Sequence, residues 1–390
     1  MIYREFLGKK LPLLGFGTMR LPVDAQGNID EAETEAMTEY ALSHGVNYID
    51  TAHPYHRGKS ELVMGRILSK YPRESFYLAD KYPGHIHELE HDPAGIFEGQ
   101  LRKCRVDYFD FYLLHNVYEN SMDIYLDPEL GILDYFREQK KLGRIKHLGF
   151  SSHGSVENLR QFLDICGDDM EFCQIQLNWL DWTLQQAKEK YELLTERGIP
   201  VIVMEPVRGG KLGQLSESAA AKLASIAPGR TAFDLSFRFL QSLPNVAVVL
   251  SGMSAMAHME DNVATFDKPD PLTEEETKAL LDIAEEMKDC VPCTGCRYCC
   301  DGCPAGLDIP NLLTTYNDIK VIPHYVTAMH VEMLPEEKKP SACIGCGKCS
   351  QICPQHIDVP EALQDLIRRM EAIPSWVEMS RARNAAEKDL

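Results

Sequence analysis

The sequence has no run of about 18 apolar residues, the length of a membrane-spanning helix, and its opening MIYREFLGKK lacks the apolar core of a signal peptide. It also has no excess of basic residues, since 40 lysines and arginines stand against 59 acidic residues, giving a formal net charge of -19. An acidic surface repels phosphate backbones and anionic lipids. We therefore expect a cytoplasmic protein without nucleic-acid or membrane partners.

The G-x-G-x-x-G pattern of an open nucleotide-binding sheet follows none of the early apolar stretches. Eight such stretches instead alternate with amphipathic, helix-forming stretches. In order they are GFGTM, GVNYID, SFYLADK, YFDFYLLH, IKHLGFS, FCQIQLN, IPVIVME and NVAVVLSG. Strands that are apolar at nearly every position indicate a parallel sheet buried on both faces, and eight of them predict a closed (β/α)8 TIM barrel. An open, doubly wound sheet is the alternative.

A barrel of this kind needs roughly 250 residues, so a chain of 390 residues has room for a second domain. Pro269 and Pro271 mark a boundary, and Thr273 with Glu276 forms a capping box that opens a polar helix. We predict four segments: a barrel over 1–268, a linker helix over 269–289, a cysteine-rich domain over 290–360 and a helical tail over 361–390. Pro374 interrupts the tail.

Cysteine is concentrated near the end of the chain, where ten of the thirteen cysteines follow Asp289. Two runs fit C-x2-C-x2-C-x3-C-P, the bacterial ferredoxin pattern in which the fourth cysteine of each run binds the other cluster. The expected ligand sets are Cys293, Cys296, Cys299 and Cys353 for one cluster, and Cys343, Cys346, Cys349 and Cys303 for the other. This pattern predicts two 4Fe-4S clusters in a small helical, ferredoxin-like domain.

Two zinc sites are the alternative for these cysteines. Tetrahedral zinc uses paired C-x2-C units and needs neither a third evenly spaced cysteine nor the Cys-Pro that closes each run. The small residues Gly295, Gly345 and Gly347 suit the tight loops that a cluster requires. The pattern therefore favours clusters.

Four polar residues end, or closely follow, three successive early strands: Asp50, Tyr55, Lys81 and His115. Parallel barrels carry their chemistry at this end of the strands. A free tyrosine has a pKa of roughly 10, so it can protonate a developing alkoxide at neutral pH only with assistance. A neighbouring ammonium stabilises the phenolate left behind, and a carboxylate keeps that ammonium charged.

Those roles fit Tyr55, Lys81 and Asp50, and His115 would hold or polarise the substrate oxygen. Each residue alone also has a structural alternative, such as a solvated strand end or, for Asp50, a cap of the following segment. Four such residues on successive strand ends of one barrel favour catalysis over these alternatives.

Four short motifs lie at strand ends or in the turns that follow them: DTAHPY at 50–55, GKSE at 58–61, LLHN at 113–116 and GFSS at 149–152. With these motifs, the chain from Tyr3 to about Phe266 resembles the aldo-keto reductase family. The resemblance implies an NAD(P)H-dependent oxidoreductase that reduces an aldehyde or ketone to an alcohol. Hydride would pass from the nicotinamide while Tyr55 supplies the proton.

The resemblance also implies cofactor-binding positions. They are Ser151, Ser152, Gln174 and Met204 beside the nicotinamide, Arg208 in the pyrophosphate loop, and Gly252, His258, Asp261 and Asn262 in the adenosine segment. Ser152 replaces the usual asparagine, and Met204 replaces a stacking ring. Gly252 and His258 stand where basic residues normally bind the 2'-phosphate. The expected preference for NADPH over NADH therefore rests only on the cofactor that is usual in the family.

Hydride transfer moves two electrons, whereas each cluster moves one, and the sequence has no flavin signature that would couple the two. Three hypotheses follow. In the first, the chain reduces a small carbonyl compound and its cluster domain is structural. In the second, it is a redox enzyme whose clusters exchange electrons with a ferredoxin-like or flavin-containing partner. In the third, it is an electron-transfer module with an idle barrel. The intact group of four residues argues against the third. We interpret 82–92, 117–129 and 208–227 as substrate-defining loops.

Overall fold

A computed structural model describes residues 1–86, 89–119, 121–213, 215, 217–286, 291, 293, 298–321, 323–353 and 357–375. The chain divides into two compact units. The first unit comprises Met1–Gly213 and Lys222–Leu281, and the second comprises Gln214–Ala221 and Asp282–Leu390. Within the described residues, no helix is both long and apolar enough to cross a membrane.

The first unit begins with an antiparallel hairpin of β1 (Tyr3–Phe6) and β2 (Lys9–Pro12). A closed barrel of parallel strands follows, in which the last strand pairs with the first. Its strands are β3 (Leu14–Gly17), β4 (Tyr48–Asp50), β5 (Tyr77–Tyr82), β6 (Phe109–Leu114), β7 (Ile145–Ser152), β8 (Cys173–Gln176), β9 (Val201–Met204) and β10 (Val246–Ser251). The predicted barrel is confirmed, and the open-sheet alternative is wrong.

The hairpin covers the amino-terminal end of the barrel through Phe6, which is 1% exposed. Its ring centroid lies 5.3 Å from that of Phe111 and 6.2 Å from that of Phe172. These two rings stand near the amino ends of β6 and β8, so apolar packing fills this end of the barrel. The candidate site residues stand at the opposite, carboxyl ends of the strands.

One or two α-helices follow each barrel strand along the chain. They are α1 (Glu31–Ser43), α2 (Ser60–Leu68), α3 (Pro93–Cys104), α4 (Met122–Leu126), α5 (Ile132–Lys141), α6 (Val156–Cys166), α7 (Asp181–Leu184), α8 (Ala187–Glu196), α9 (Glu217–Ile226), α10 (Ala232–Gln241), α11 (Met256–Thr265) and α12 (Glu274–Glu286). The predicted capping box opens α12, because Thr273 N donates to Glu276 Oε2 at 2.8 Å and Glu276 N donates to Thr273 Oγ1 at 3.1 Å. Gly45, with φ at +83°, follows the end of α1.

The interpretation of two segments as loops is wrong in part. Helix α9 occupies much of 208–227, and α4 lies within 117–129. The sequence of α9, ESAAAKLASI, is rich in alanine, which has the highest helix propensity. That composition was a sufficient signal for a helix.

In the second unit, a short helix followed by a long helix occurs twice. Its helices are α13 (Tyr298–Asp301), α14 (Ile309–Val321), α15 (Tyr325–Glu332), α16 (Lys348–Ile352) and α17 (Val359–Glu371). Helix α13 contacts α16, and α14 packs against α17. An aspartate opens each long helix, because Asp308 Oδ1 accepts from Asn311 N and Asp358 Oδ1 accepts from Glu361 N.

Buried leucine and isoleucine side chains of α14 and α17 form the core of the second unit. The helix of the predicted tail begins at Val359, before the expected start, and ends at Glu371, before Pro374. The part of the predicted tail over 376–390 lies outside the described residues.

Candidate active site and cysteine cavity

The ends of β4, β5 and β6 bring the predicted catalytic residues together. Asp50 is the last residue of β4, Lys81 lies near the end of β5, and His115 directly follows β6. Tyr55 begins a short 3-10 turn whose next two residues, His56 and Arg57, have left-handed backbone with φ at 49° and 57°. This turn carries the Tyr55 hydroxyl back over the end of β5.

The Lys81 ammonium is at the centre of the group. Its Nζ donates to Asp50 Oδ1 at 2.7 Å, to the Thr51 carbonyl oxygen at 2.8 Å and to the Tyr55 hydroxyl at 3.3 Å. The side chain of Lys81 is fully buried, and that of Asp50 is 3% exposed. Three acceptors match the three donors of an ammonium, so this buried cation is fully paired.

Burial and the neighbouring charges act in opposite directions on the titration of the group. Burial raises the pKa of Tyr55 above its ordinary value, although the nearby charge of Lys81 acts in the opposite direction. Burial alone would lower the pKa of Lys81, but Asp50 and Tyr55 outweigh it and raise this pKa. The cation therefore favours phenolate formation as expected, yet the phenol is fully protonated at neutral pH.

The imidazole ring of His115 lies beside the ring of Tyr55. The two rings are nearly perpendicular, with centroids 6.2 Å apart, and the ring of His85 lies 4.5 Å from His115. Burial, and then the charge of Lys81, lower the pKa of His115 well below 6.5. The imidazole is therefore neutral at physiological pH, and within the described part of the chain its buried Nδ1 has no hydrogen-bond partner.

The positions assigned to the nicotinamide lie at the neighbouring ends of β7, β8 and β9. In the strand register, Ser151 of β7 lies beside Gln174 of β8. Gln176, two residues further along β8, lies beside Met204 of β9. Gln174 is 2% exposed and its Nε2 lies 3.6 Å from Met204 Sδ. Its Oε1 is buried and has no hydrogen-bond partner among the described residues. Ser151 Oγ accepts from Asn116 N at 2.8 Å, and Ser152 Oγ accepts from Gly154 N at 3.1 Å.

The remaining assigned positions lie after β9 and β10. Arg208 pairs with buried Asp181, with Nε 3.4 Å from Oδ2. Asn262 donates to Ser251 Oγ at 2.9 Å, whereas Gly252, His258 and Asp261 are exposed.

Arg20 was not predicted, although it lies across the same region. Its guanidinium pairs with Glu205 at 2.9 Å, between the loops that follow β3 and β9. A Cβ at Gly209 would lie 2.9 Å from Arg20 Nη2, and a Cβ at Gly252 would lie 3.4 Å from Arg20 Cβ. Glycine at both positions thus leaves room for the arginine. A basic residue directly after the first strand was the available sequence signal.

Two buried polar residues behind Lys81, Asp80 and Gln100, were also not predicted; both are fully buried. Each breaks the local pattern, because Asp80 interrupts the apolar strand FYLADK and Gln100 shares a helix face with Phe97, Leu101 and Cys104. Such exceptions in a buried surface need hydrogen-bond partners, which is the signal that could have identified them.

Four cysteines of the second unit surround one cavity. They are Cys303, Cys343, Cys346 and Cys349, the second predicted ligand set, and apolar side chains that include Leu307, Ile309 and Leu363 complete the lining. Gly345 and Gly347, with φ at +67° and +71°, form the tight loop between the cysteines. Cys349 is buried, whereas Cys346 is exposed.

The first predicted ligand set is only partly described. Cys293, Cys299 and Cys353 pack against the core of the second unit, while Cys296 lies outside the described residues. Across the described residues, no three cysteine, histidine or acidic side chains converge as ligands of a single metal ion would. The second set is brought together around one cavity, which is lined by all four of its cysteines.

Comparison with known proteins identifies both units. Residues 13–285 match the model of the Aldo/keto reductase family, and residues 292–357 match the 4Fe-4S dicluster domain. A Glycine max protein named "Probable aldo-keto reductase 1" is 28% identical over 217 residues, which is 53% of this chain and 59% of that protein. The Escherichia coli protein named "NADH-specific methylglyoxal reductase" is 25% identical over 52% of this chain and 69% of its own length.

A solved structure is similar as well. An aldo-keto reductase from Bacillus halodurans in its holo form has 27% identity and a TM-score of 0.60. The match covers 72% of this chain and 96% of that structure.

Proposed function

Because the chain belongs to the aldo/keto reductase family and carries a 4Fe-4S dicluster domain, we propose that it reduces an aldehyde or ketone to an alcohol with NADPH or NADH. The observation that carries the proposal is the 3.3 Å contact between the Tyr55 hydroxyl and the buried, fully paired Lys81 ammonium. When bound, the nicotinamide supplies a hydride to the carbonyl carbon. Tyr55 supplies a proton to the carbonyl oxygen, so that one C–H and one O–H bond form.

Each member of the group has a role that follows from its environment. A tyrosine with its ordinary pKa of roughly 10 is protonated at neutral pH. Burial raises the pKa of Tyr55 further, so it holds the proton before reaction. The phenolate left after transfer lies beside Lys81, which Asp50 keeps charged. A positioned general acid contributes roughly 100-fold to 10,000-fold to the rate.

His115 acts in this proposal as a neutral hydrogen-bond donor to the substrate oxygen. Its lowered pKa means that it binds the oxygen without carrying a charge that would compete with Lys81. The ring centroids of Tyr55 and His115 are 6.2 Å apart, so both side chains would lie within reach of one substrate oxygen.

The residues assigned to the cofactor suit a nicotinamide. Gln174 Oε1 is buried without a partner in the described part of the structure, and it could accept a hydrogen bond from the carboxamide amino group. Ser151 and Ser152 would complete that contact, and Met204 would lie against the ring. Arg208 and Arg20 are the candidate phosphate ligands, whereas Gly252 and His258 offer no strong cation for a 2'-phosphate.

For the second unit we propose two 4Fe-4S clusters bound by the predicted cysteine sets. The cavity lined by Cys303, Cys343, Cys346 and Cys349 supports the exchange of the fourth ligand between the two runs. Two clusters correspond to about eight iron atoms per chain. Anaerobic purification followed by iron and sulfide analysis tests the number, and C303S is expected to lower the iron content.

A second candidate function is electron exchange between the clusters and a ferredoxin-like or flavin-containing partner. The exposed side chain of Cys346 favours it, because an exposed ligand brings one cluster near the surface. Carbonyl reduction measured with oxidised and with dithionite-reduced clusters separates the two candidates. A rate that is independent of the cluster redox state supports a structural role.

The experiment for the barrel compares two tyrosines. Anaerobically purified enzyme is assayed with NADPH and with NADH against methylglyoxal, nitrobenzaldehyde, xylose and benzoquinone. Y55F is expected to reduce the best substrate at least about 100-fold more slowly than wild type. Y48F is the control, since it removes a buried hydroxyl that has no partner among the described residues. Equal rates for wild type and Y55F would contradict the proposed acid.

A further inference from the structure

Strand β5 extends beyond its neighbour β4 where Lys81 stands. Strand β4 ends at Asp50, which pairs with Ala79. The Ala79 carbonyl accepts from Thr51 N at 2.9 Å, and the Tyr82 carbonyl accepts from His115 N at 3.0 Å. Because successive residues of a strand direct their backbone groups to alternate sides, the N–H and C=O of Lys81 face the side on which β4 has ended.

Two side chains take the place of the missing strand. Lys81 N donates to Asp80 Oδ1 at 2.8 Å, and Gln100 Nε2 donates to the Lys81 carbonyl oxygen at 3.0 Å. Asp80, Lys81 and Gln100 are all fully buried. Buried backbone groups without partners destabilise a fold, so these bonds fix the backbone of the residue that carries the ammonium.

Gln100 is itself held from two further elements. Its Nε2 also donates to Glu61 Oε1 of α2 at 3.0 Å, and its Oε1 accepts from the Tyr112 hydroxyl of β6 at 2.5 Å. Glu61 is in turn paired with Lys103 at 2.5 Å. Both donors and the acceptor of the Gln100 amide are therefore occupied, which restricts the side chain to one orientation.

We infer that Gln100 and Asp80 are positioning residues that fix the backbone of Lys81, so that its ammonium reaches Asp50, the Thr51 carbonyl and Tyr55 together. The inference rests on the proposed function, because it assigns these residues an effect on the proposed acid. The three acceptors lie 2.7 to 3.3 Å from one nitrogen. A displacement of about 1 Å at such a site can lower a rate about 100-fold.

The charge distribution agrees with this assignment. Burial, and then the nearby charge of Glu61, raise the pKa of Asp80 well above its ordinary value. Burial also raises the pKa of Asp50, but the charge of Lys81 and its hydrogen bond oppose that rise. The two carboxyl groups therefore differ in their partners, since Asp50 accepts from the ammonium of Lys81 and Asp80 accepts from its backbone N–H.

The test is Q100M, which keeps an unbranched side chain of similar size and removes every hydrogen bond of the amide. The control is Q241M, because Gln241 is also buried and its Nε2 also donates to a carbonyl, that of Thr265 at 3.1 Å. The rate constant kcat of Q100M is expected to fall about 10-fold to 100-fold with KM nearly unchanged, whereas Q241M is expected to match wild type.

The pH profile separates positioning from general destabilisation. The charge of Lys81 lowers the pKa of Tyr55, so a displaced ammonium leaves that pKa higher. The alkaline limb of kcat, where Tyr55 loses its proton, is therefore expected to move to higher pH in Q100M. A fall in kcat with an unmoved limb would overturn the inference, since a purely structural role predicts that result.

Assays use the best substrate of the panel, with Y55F measured beside the other variants. If Y55F is inactive while Q100M equals Q241M, the inference is wrong and the proposed function stands. If Y55F is as active as wild type, or wild type reduces none of the four compounds, the proposed function fails and the inference fails with it. Should Q100M not fold, Y112F is measured instead, because it removes one hydrogen bond to Gln100. It is expected to lower kcat and to move the alkaline limb to higher pH by smaller amounts. No shift in either would overturn the inference.

Discussion

Replacing Asp50 by asparagine tests the ion pair at the centre of the site. The substitution keeps the shape of the side chain and removes the carboxylate that lies 2.7 Å from Lys81 Nζ. Asp110 offers a matched control, because its Oδ2 pairs with Arg73 at 2.6 Å near the amino end of β6, away from the strand ends that carry the site. D50N and D110N therefore break similar bonds at opposite ends of the barrel.

The burial of the two pairs sets the expected loss of stability. Lys81 and Asp50 are 0% and 3% exposed, so D50N removes the counter-ion of a fully buried amine, and a loss of about 3 to 5 kcal/mol is expected. Arg73 and Asp110 are 19% and 9% exposed, so Arg73 can reach solvent after D110N, and a loss of about 1 to 3 kcal/mol is expected. Urea denaturation measures both values.

The effect on catalysis separates the variants more sharply. Without Asp50, burial dominates and lowers the pKa of Lys81, so the neutral amine no longer stabilises the Tyr55 phenolate. We expect D50N to lower kcat about 100-fold or more, with a smaller deficit at lower pH where Lys81 regains its proton, and D110N to keep the kcat of wild type. Equal kcat values for D50N and D110N in folded enzyme would refute the reasoning.

Three further predictions concern pH and packing. Burial raises the pKa of Glu171, but hydrogen bonds from basic neighbours outweigh it and hold this pKa to about 2, below the ordinary 4.5. The ionised Glu171 therefore stabilises the fold above pH 4.5, and this stabilisation is lost as the pH falls toward 2. Between these pH values, the free energy of unfolding should fall less in E171Q than in wild type. Because burial lowers the pKa of His115 well below 6.5, the pH profile of kcat should show no transition near pH 6.5 from this residue, and a transition that disappears in H115N would contradict the neutral imidazole. A Cβ at Gly65 would lie 2.1 Å from the Lys103 carbonyl oxygen, whereas the nearest atom to a Cβ at Gly99 is 3.8 Å away. Thermal and urea unfolding should show G65A destabilised by about 1 to 3 kcal/mol and G99A stabilised by about 0.5 to 1 kcal/mol; similar values for both would mean that α2 and α3 are not in close contact.

The barrel could be predicted from sequence because its signal is repeated. Most strands are apolar runs and most of the helices that follow them are amphipathic, so the eightfold alternation remains readable even where one boundary is misplaced. Helices α2 and α6, for example, coincide with the stretches SELVMGRIL and VENLRQFLDIC. Helices α14 and α15 lie between the two cysteine runs, within the domain that was predicted to be helical. The cysteine spacing gives no information on where these helices begin and end.

The residues of the site differ in how far the sequence locates them. Asp50, Lys81 and His115 lie at strand ends, and parallel strands bring their carboxyl ends to one edge, so their proximity follows from the predicted fold. Gln100 and Arg20 could not be placed in this way. Their contacts depend on where β4 stops and on which glycines leave room beside a loop, and neither property is periodic in the sequence.

The most direct test of the account uses a nicotinamide cofactor labelled with deuterium. NADH or NADPH with both C4 hydrogens replaced by deuterium is incubated anaerobically with the enzyme and its best aldehyde or ketone substrate, and the alcohol is analysed by mass spectrometry. Direct hydride transfer in the barrel predicts deuterium on the carbinol carbon, and Y55F should make the same labelled alcohol far more slowly. An alcohol without deuterium, with the label lost to water, would show that the electrons travel through the clusters and would contradict the account.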